Sequence, residues 1–144
     1  MSREKVEVVR KVIEAFASGR PEDALTMFDP EVQWQTAADE PDATTPYHGL
    51  TGIQELWATW GDIWAEGFER VALEAFEAAV RRGEVINADP HVIVPLMPRL
   101  RGRASGAEVE VPETYVLTFR EGKIIRVAEY RTKQEALEAV GLRE

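Results

Sequence analysis

Residues 109–131 read VEVPETYVLTFREGKIIRVAEYR, and this stretch decides the fold. Apolar side chains recur there at every second position, which is typical of a half-buried β-strand. The inward row of this strand comprises Tyr115, Leu117 and Phe119. Glu121-Gly122 is a two-residue hairpin signal, and residues 124–131 continue as the partner strand. The stretch therefore predicts two antiparallel strands joined by a tight turn.

The sequence before this hairpin alternates between helical and strand patterns. Apolar positions at steps of three and four predict helices over residues 3–18 and 51–66, and Pro21 opens a short helix between them. Alternation through residues 31–36 predicts a strand, which a polar loop at residues 37–46 follows. The length of this loop indicates a flap over a site. Its acidic side chains, which we expect to be solvated, are Asp39, Glu40 and Asp42.

Two further stretches leave alternatives open. Residues 68–88 carry apolar positions in helical order, but an alternating strand pattern also fits, so the sequence does not decide their structure. Residues 92–100 are strand-like, although Pro95 and Pro98 imply an edge position or a bulge. A short helix over residues 133–140 closes the chain.

The predicted order is two helices, a strand, a helix, the undecided segment, three antiparallel strands and a closing helix. Helices packed against one face of an antiparallel sheet define the α+β class. The chain has 144 residues, an ordinary length for one domain. We therefore expect residues 1–144 to form a single α+β domain whose helices close over a curved antiparallel sheet and enclose an apolar pocket.

Composition limits the partners and the chemistry. A net charge of −9 disfavours binding to nucleic acid and to anionic membranes, because both attract basic side chains. The chain has no cysteine and two histidines, so a disulfide is impossible and a structural zinc site is not expected. No apolar run reaches the roughly 18 residues that span a bilayer, and no signal-peptide pattern opens the chain. We expect a cytoplasmic protein with neither metal nor cofactor.

Four motifs in order along the chain carry a resemblance to a known family. They are the opening helix that runs into Phe16, Gly19 and Ala24-Leu25, then DPEVQW at 29–34, YHGLTGI at 47–53 and REGKIIRVAEY at 120–130. With these motifs the chain resembles the SnoaL-like branch of the nuclear transport factor 2-like superfamily. The resemblance implies a cone, in which helices cover the concave face of a bent antiparallel sheet and leave a cavity at the open end. It also implies a homodimer packed through the sheets.

The resemblance does not fix a function, since one fold hosts several chemistries. The superfamily includes polyketide cyclases, ketosteroid isomerases, limonene epoxide hydrolases, dehydratases and non-catalytic binding proteins. The epoxide hydrolases use an Asp-Arg-Asp set to activate water. This chain has His91 and Ile93 where the arginine and the first aspartate would lie, which argues against epoxide hydrolysis.

Glu129 is the first candidate for a catalytic residue. Alternation places Ile125, Val127, Glu129 and Arg131 on one face of the last strand, so Glu129 faces the pocket if the two apolar residues do. A carboxylate beside an apolar cavity loses hydration, which raises its pKa toward the range of a general base. The resemblance implies the same role, because this position matches the acidic residue of the cyclases and epoxide hydrolases. The structural alternative is an ordinary ion pair with Arg131.

His91 is the second candidate. Its face of the strand continues through Ile93, Pro95 and Met97, and a rough alignment places it across the sheet from Glu129. A histidine paired with a carboxylate is suited to acid–base work near neutral pH. The alternative is a histidine that is exposed or merely hydrogen-bonded at the start of a strand.

Aromatic and apolar side chains are the expected walls, because small-molecule pockets are lined mainly by such groups. Three tryptophans at helical spacing within residues 51–66 form one face, which either packs in the core or lines the cavity. The expected substrate-binding residues are Trp34, Thr36, Tyr47, Trp57, Trp60, Trp64, Met97, Tyr115 and Arg131.

Three functions remain open on sequence alone. The leading hypothesis is a cofactor-independent enzyme of cyclase, isomerase or lyase type that acts on a small apolar molecule. Glu129 would be the general base and His91 its partner, while tyrosine or tryptophan donors would stabilise an oxyanion. The alternatives are a non-catalytic domain that binds an apolar ligand and a homodimeric interaction module.

Overall fold

A computed structural model describes residues 2–41 and 43–142, so Asp42 lies outside the described part of the chain. The helices within this part are α1 (Ser2–Ala17), α2 (Pro21–Leu25), α3 (Gly49–Ile63), α4 (Phe68–Arg81) and α5 (Lys133–Ala139). The strands are β1 (Phe28–Gln35), β2 (Tyr47–His48), β3 (Ile86–Ala88), β4 (His91–Leu96), β5 (Arg99–Arg101), β6 (Glu108–Glu110), β7 (Glu113–Arg120) and β8 (Lys123–Tyr130).

Six strands form one curved, open sheet in the order β2-β1-β8-β7-β4-β3, and β5 pairs with β6 as a separate hairpin. Neighbouring strands of the sheet are antiparallel except β1 and β8, which run parallel. The expected α+β fold with helices over a curved sheet is confirmed, with this one parallel pair added. Because β1 and β8 are neighbours, side chains from distant parts of the sequence meet at the centre of the sheet.

The hairpin that decides the fold forms as predicted, with one irregularity. Glu121 and Gly122 both have positive φ, at 53° and 81°, as a tight two-residue turn requires. The pairing of β7 with β8 then skips Ile125, the extra residue of a β-bulge. Ile124, not Ile125, therefore shares the buried face with Val127. The prediction for Ile125 is wrong, but the alternation from Val127 onward holds.

The undecided segment at residues 68–88 is helix α4 followed by the short strand β3. The helical spacing was the correct signal, since Leu73, Phe76 and Ala79 are all buried. Strand β3 pairs only with residues 91–93 of β4, so the edge of β4 is open at Pro95. A proline is tolerated there because its missing N–H has no strand to reach on that side.

The sheet is covered on both faces. Helices α1, α3 and α4 pack on one face, where Val92, Val94 and Val127 join the main core. Helix α5 packs on the opposite face, over Ile93 and Val116. The expectation that every helix covers one face is therefore wrong for α5. Within the residues that the structure describes, no helix is long and apolar enough to cross a membrane.

Candidate functional site

A cavity of about 190 Å³ lies between the helices and the sheet, where the β5–β6 hairpin borders its mouth. Its walls are largely apolar and come from α1, α3, α4 and the hairpin segment. The apolar members of the lining are Phe16, Leu56, Trp60, Ile63, Trp64, Phe68, Ala72, Leu96, Pro98, Leu100 and Val111. Its polar members are Thr36, Glu40, Thr59, Glu113, Tyr115 and Glu129. An apolar space with a few convergent polar groups is the usual form of a ligand site.

An inner chamber of about 90 Å³ continues this cavity toward the core. Its lining is apolar and includes Val9, Val12, Trp34, Trp57 and Val127. The two spaces share five lining residues, Phe16, Trp60, Ala72, Leu96 and Tyr115. A ligand that filled both spaces would therefore contact carboxyl groups in the outer cavity and mainly apolar side chains in the inner chamber.

Glu129 lies in the wall of the cavity with 6% of its surface exposed. The Trp34 Nε1 donates a hydrogen bond of 2.6 Å to the Glu129 Oε2, and the backbone N–H of Ala37 donates another to the same carboxylate. Arg131 contacts other carboxylates instead, so the simple Glu129–Arg131 ion pair does not form. Strand alternation thus predicted the direction of the Glu129 side chain correctly.

Glu113, at the start of β7, is the partner that Glu129 has in the structure. Both carboxyl groups line the same cavity, and each acts on the pKa of the other. Burial raises the pKa of Glu129 to about 8, and the neighbouring Glu113 adds to this effect. Burial likewise raises the pKa of Glu113 to about 7, against the lowering effect of Arg131. The pair is therefore partly protonated near neutral pH.

Arg131 anchors the loop after β1 to the sheet. Its Nη1 lies 2.8 Å from the Glu113 Oε1 and its Nε lies 3.0 Å from the Asp39 Oδ1, while its Nη2 contacts Glu40. Glu40 lines the cavity while 38% of its side chain stays exposed, so it is partly solvated, and Asp39 is exposed as expected. Arg131 is not itself part of the cavity lining, so its role as a wall residue is not seen. The guanidinium acts on the cavity through the carboxylates that it holds.

Tyr115 separates the outer cavity from the inner chamber. Its ring meets that of Trp34 edge to face, with centroids 6.2 Å apart. Burial, and then the charges of Glu129 and Glu113, raise the pKa of Tyr115 well above its usual value. The phenol stays neutral and keeps a proton to donate.

His91 lies on the other face of the sheet from Glu129. In β4, Val92 and Val94 face the main core, whereas His91 shares the opposite face with Ile93. The His91 Nδ1 is 2.9 Å from the Thr118 Oγ1, in the neighbouring strand. The expected His91–Glu129 pair is therefore not formed. Both faces of β4 are apolar, because α5 covers the second one, and alternation alone could not choose between them.

The remaining expected wall residues divide into three groups. Thr36, Trp60, Trp64 and Tyr115 line the outer cavity, and Trp34 and Trp57 line the inner chamber. Tyr47 packs against the core beside Gly52 and is not in either lining. Met97 is 58% exposed and borders an outer groove, because β4 ends at Leu96 and the chain turns outward. The placement of Met97 as a pocket wall is wrong.

Sequence reasoning missed the two carboxylates that accompany Glu129. Glu113 continues the inward row of Tyr115 and Leu117 by one more step of two, so its parity was a usable signal. Glu40 lies in an irregular loop and has no such periodicity. Within the described ranges, no group of three or more His, Asp or Glu side chains is arranged to hold a metal ion.

The structure is thus an α+β domain in which helices cover a curved, open sheet and a cavity lies between the two layers. The family model of the SnoaL-like domain matches residues 9–127, and the chain therefore belongs to the SnoaL-like family. No protein of curated function matches the sequence.

Solved structures share this fold. An NTF2-like protein from Burkholderia xenovorans LB400 is 16% identical, with a TM-score of 0.69 over 90% of each chain. TerC, co-crystallised with polyporic acid, is 17% identical, with a TM-score of 0.66 over 88% of this chain and 89% of its own. A Mesorhizobium loti protein described as a SnoaL-like polyketide cyclase is 15% identical, with a TM-score of 0.59 over 86% of this chain and 96% of its own. At these identities the likeness concerns the fold alone.

Proposed function

We propose that the protein is a cofactor-independent acid–base enzyme that moves a proton within a small, apolar, carbonyl-bearing molecule. The observation that carries this proposal is the Glu113–Glu129 pair, two carboxyl groups that lie largely buried in the wall of one cavity, with 11% of the Glu113 side chain and 6% of Glu129 exposed. A pair with one proton near neutral pH supplies a base and an acid at the same time. That combination suits isomerase, cyclase and lyase chemistry.

The roles follow from the contacts of each carboxyl group. Glu129 accepts hydrogen bonds from Trp34 and Ala37, which hold its oxygens in place for proton abstraction from carbon. The pair acts as a unit, in which the carboxyl group that carries the shared proton returns it to the substrate oxygen. The neutral Tyr115 hydroxyl lies on the same wall as a further donor. The indole N–H of Trp34 is engaged by Glu129, so Trp34 orients the base and does not serve as the oxyanion donor.

Relatives supply supporting context for a small organic substrate. TerC was co-crystallised with polyporic acid, and the Mesorhizobium loti relative is described as a polyketide cyclase. We propose that this chain likewise accepts a cyclic molecule, with its apolar end in the inner chamber and its carbonyl beside the carboxyl pair.

Proton exchange tests this function without knowledge of the substrate. Small cyclic ketones are incubated in D₂O with the protein, and deuterium uptake at the carbon beside the carbonyl is followed by NMR. Glu129→Gln should reduce protein-dependent exchange by roughly 100-fold or more, the usual contribution of a positioned base. Glu14→Gln removes an exposed carboxylate on α1 and serves as the matched control. Exchange that is equal in the wild type and Glu129→Gln would refute the acid–base role.

The second candidate is a non-catalytic ligand-binding domain, which the wholly apolar lining of the inner chamber favours. Tight binding of apolar molecules without any Glu129-dependent deuterium exchange would support this second candidate.

We also propose a homodimer packed through the sheet, on the strength of the family resemblance. Sedimentation velocity at micromolar concentration that yields only a species of 16.2 kDa would contradict the dimer.

A further inference from the structure

The cavity has an unusual balance of charge. Three of its lining side chains are glutamates, Glu40, Glu113 and Glu129, and within the described residues its lining contains no Lys, Arg or His. The nearest cation is Arg131, which lies outside the lining and already contacts Asp39, Glu40 and Glu113. One guanidinium thus contacts three carboxylates, and Glu129 is not one of them. Carboxylates that are buried without enough counter-charge favour either bound protons or a bound cation.

The remaining walls are suited to hold an organic cation. Aromatic rings from three helices and from β7 line the same space, namely Phe16, Trp60, Trp64, Phe68 and Tyr115. Ring faces attract ammonium groups, and aromatic cages recognise alkylated ammonium in particular. The carboxylates and the rings are independent features of the cavity, and both attract a positive charge.

The size of the cavity limits the ligand to a small molecule. A cavity of about 150 Å³ is enough to hold a benzene ring. The outer cavity of about 190 Å³ therefore accommodates one ring or a similar alkyl group with a small head group, and the inner chamber receives an apolar tail. The narrow, helix-covered space fits a free small molecule and not the side chain of a folded partner.

We propose that the natural ligand of this cavity is a small apolar amine, bound as its ammonium ion beside Glu113 and Glu129 and between the aromatic rings. The proposal rests on the proposed function for the location of the site, and it adds that the carbonyl-bearing substrate is also an amine. A carboxylate ligand is excluded by the same charges, because it would stand next to three glutamates without a cation in the lining.

Binding of a cation is expected to displace the proton of the glutamate pair, so that the neutral Tyr115 hydroxyl in the same lining is then the proton donor of the site. The raised pKa values of Glu113 and Glu129 mean that the pair is partly protonated at neutral pH, and a bound ammonium ion favours the ionised form. The groups that face the pair are Asp39, Glu40, Tyr115 and Arg131. Arg131 and the high-pKa Tyr115 keep their charge states below pH 9, so the proton released comes from the carboxyl groups.

Calorimetry with four single-ring probes tests the proposal on the full chain. The probes are benzylamine and benzyltrimethylammonium as cations, benzyl alcohol as the neutral analogue and benzoate as the anion. We expect both cations to bind at least about tenfold more tightly than benzyl alcohol, and benzoate not to bind. Binding of benzyltrimethylammonium should release protons at pH 7, measured in buffers of different ionisation enthalpy, and should strengthen as the pH rises from 6 to 8.

Two variants distinguish the contribution of the cavity charge to probe affinity from the contribution of the cavity shape. Glu113→Gln should lower the affinity for benzyltrimethylammonium at least about tenfold and leave that for benzyl alcohol within about threefold, whereas Glu14→Gln should change neither. Equal or tighter binding of benzyl alcohol in the wild type would overturn the amine proposal and leave the acid–base proposal standing. Failure of all four probes to bind would also overturn it. The deuterium exchange experiment judges the acid–base function separately.

Discussion

The indole nitrogen of Trp34 donates a 2.6 Å hydrogen bond to Oε2 of Glu129, so that the parallel strands β1 and β8 are joined through a buried side-chain pair. Trp34 belongs to the inner chamber and Glu129 to the outer cavity. The bond therefore fixes the carboxylate where the two spaces meet. Because this bond favours the ionised carboxylate, it opposes the effect of burial on the pKa of Glu129.

Removal of that bond should raise the pKa of Glu129 further. Trp34→Phe keeps an aromatic ring in the chamber but has no N–H to donate. We expect the acid limb of the pH–activity profile to move to higher pH, and a stability loss of about 1–3 kcal/mol from the lost bond and the smaller ring. Trp57→Phe is the matched control, because it removes another buried indole that has no bond to Glu129. An identical pH profile in both variants would contradict the role of Trp34.

Stability should depend on pH through Glu129. Its pKa rises from 4.5 to about 8 on folding, so the native state binds more protons than the unfolded state between these values. The free energy of unfolding of the wild type should therefore fall as the pH rises from about 5 to 8. Glu129→Gln removes this titration and still accepts the Trp34 hydrogen bond. The free energy of unfolding of the variant, taken relative to that of the wild type, should therefore increase by roughly 3 kcal/mol as the pH rises from about 5 to 8.

Urea denaturation of both proteins at pH 5 and pH 8.5 measures this difference. The comparison is a difference of differences, so titrating groups remote from the pair cancel to first order, whereas Glu113 contributes together with Glu129. A gap between the variant and the wild type that stays constant with pH would show that Glu129 has an ordinary pKa.

The sequence predicted the helix-covered sheet and the direction of Glu129 because both follow from side-chain periodicity. Periodicity does not predict where a side chain points when both faces of its strand are apolar. His91 lies on a strand that is apolar on both sides, so its parity gave no direction. Glu40 was missed for a different reason, because its position depends on the contact with Arg131, which no local pattern encodes. The bulge at Ile125 shows the same limit, since an extra residue changes the alternation without a composition signal.

His91 should be dispensable for activity. It lies on the α5 side of the sheet, where its contact is with Thr118. His91→Gln keeps a polar side chain of similar size, so we expect deuterium exchange within about threefold of the wild type and a stability loss of at most about 1.5 kcal/mol. A large loss of exchange with unchanged stability would restore His91 as a partner of Glu129.

Arg131 should control both the glutamate pair and the loop after β1. Arg131→Gln removes the positive charge that lowers the pKa of Glu113, so that pKa should rise and the pH–activity profile of the pair should move to higher pH. The loop should also lose its anchors at Asp39 and Glu40, which amide hydrogen exchange at residues 37–46 will detect as faster exchange. Arg120→Gln, which breaks the ion pair with Asp29, is the control. Unchanged exchange in the loop would show that Arg131 does not hold it.

The inner chamber can be filled from α4 without a change to any polar group. Ala72 lines both the outer cavity and the inner chamber, and Ala72→Leu places three extra carbon atoms between them. Stability should be unchanged or rise by up to about 1 kcal/mol, because the added side chain occupies existing space. Binding of benzyl alcohol and of the cationic probes should weaken together by at least about tenfold, since the new side chain takes space beside their ring in the outer cavity. Ala78→Leu, on the same helix but bordering the outer groove, should leave binding unchanged. Equal affinities in the two variants would show that the probes do not bind in the space beside Ala72.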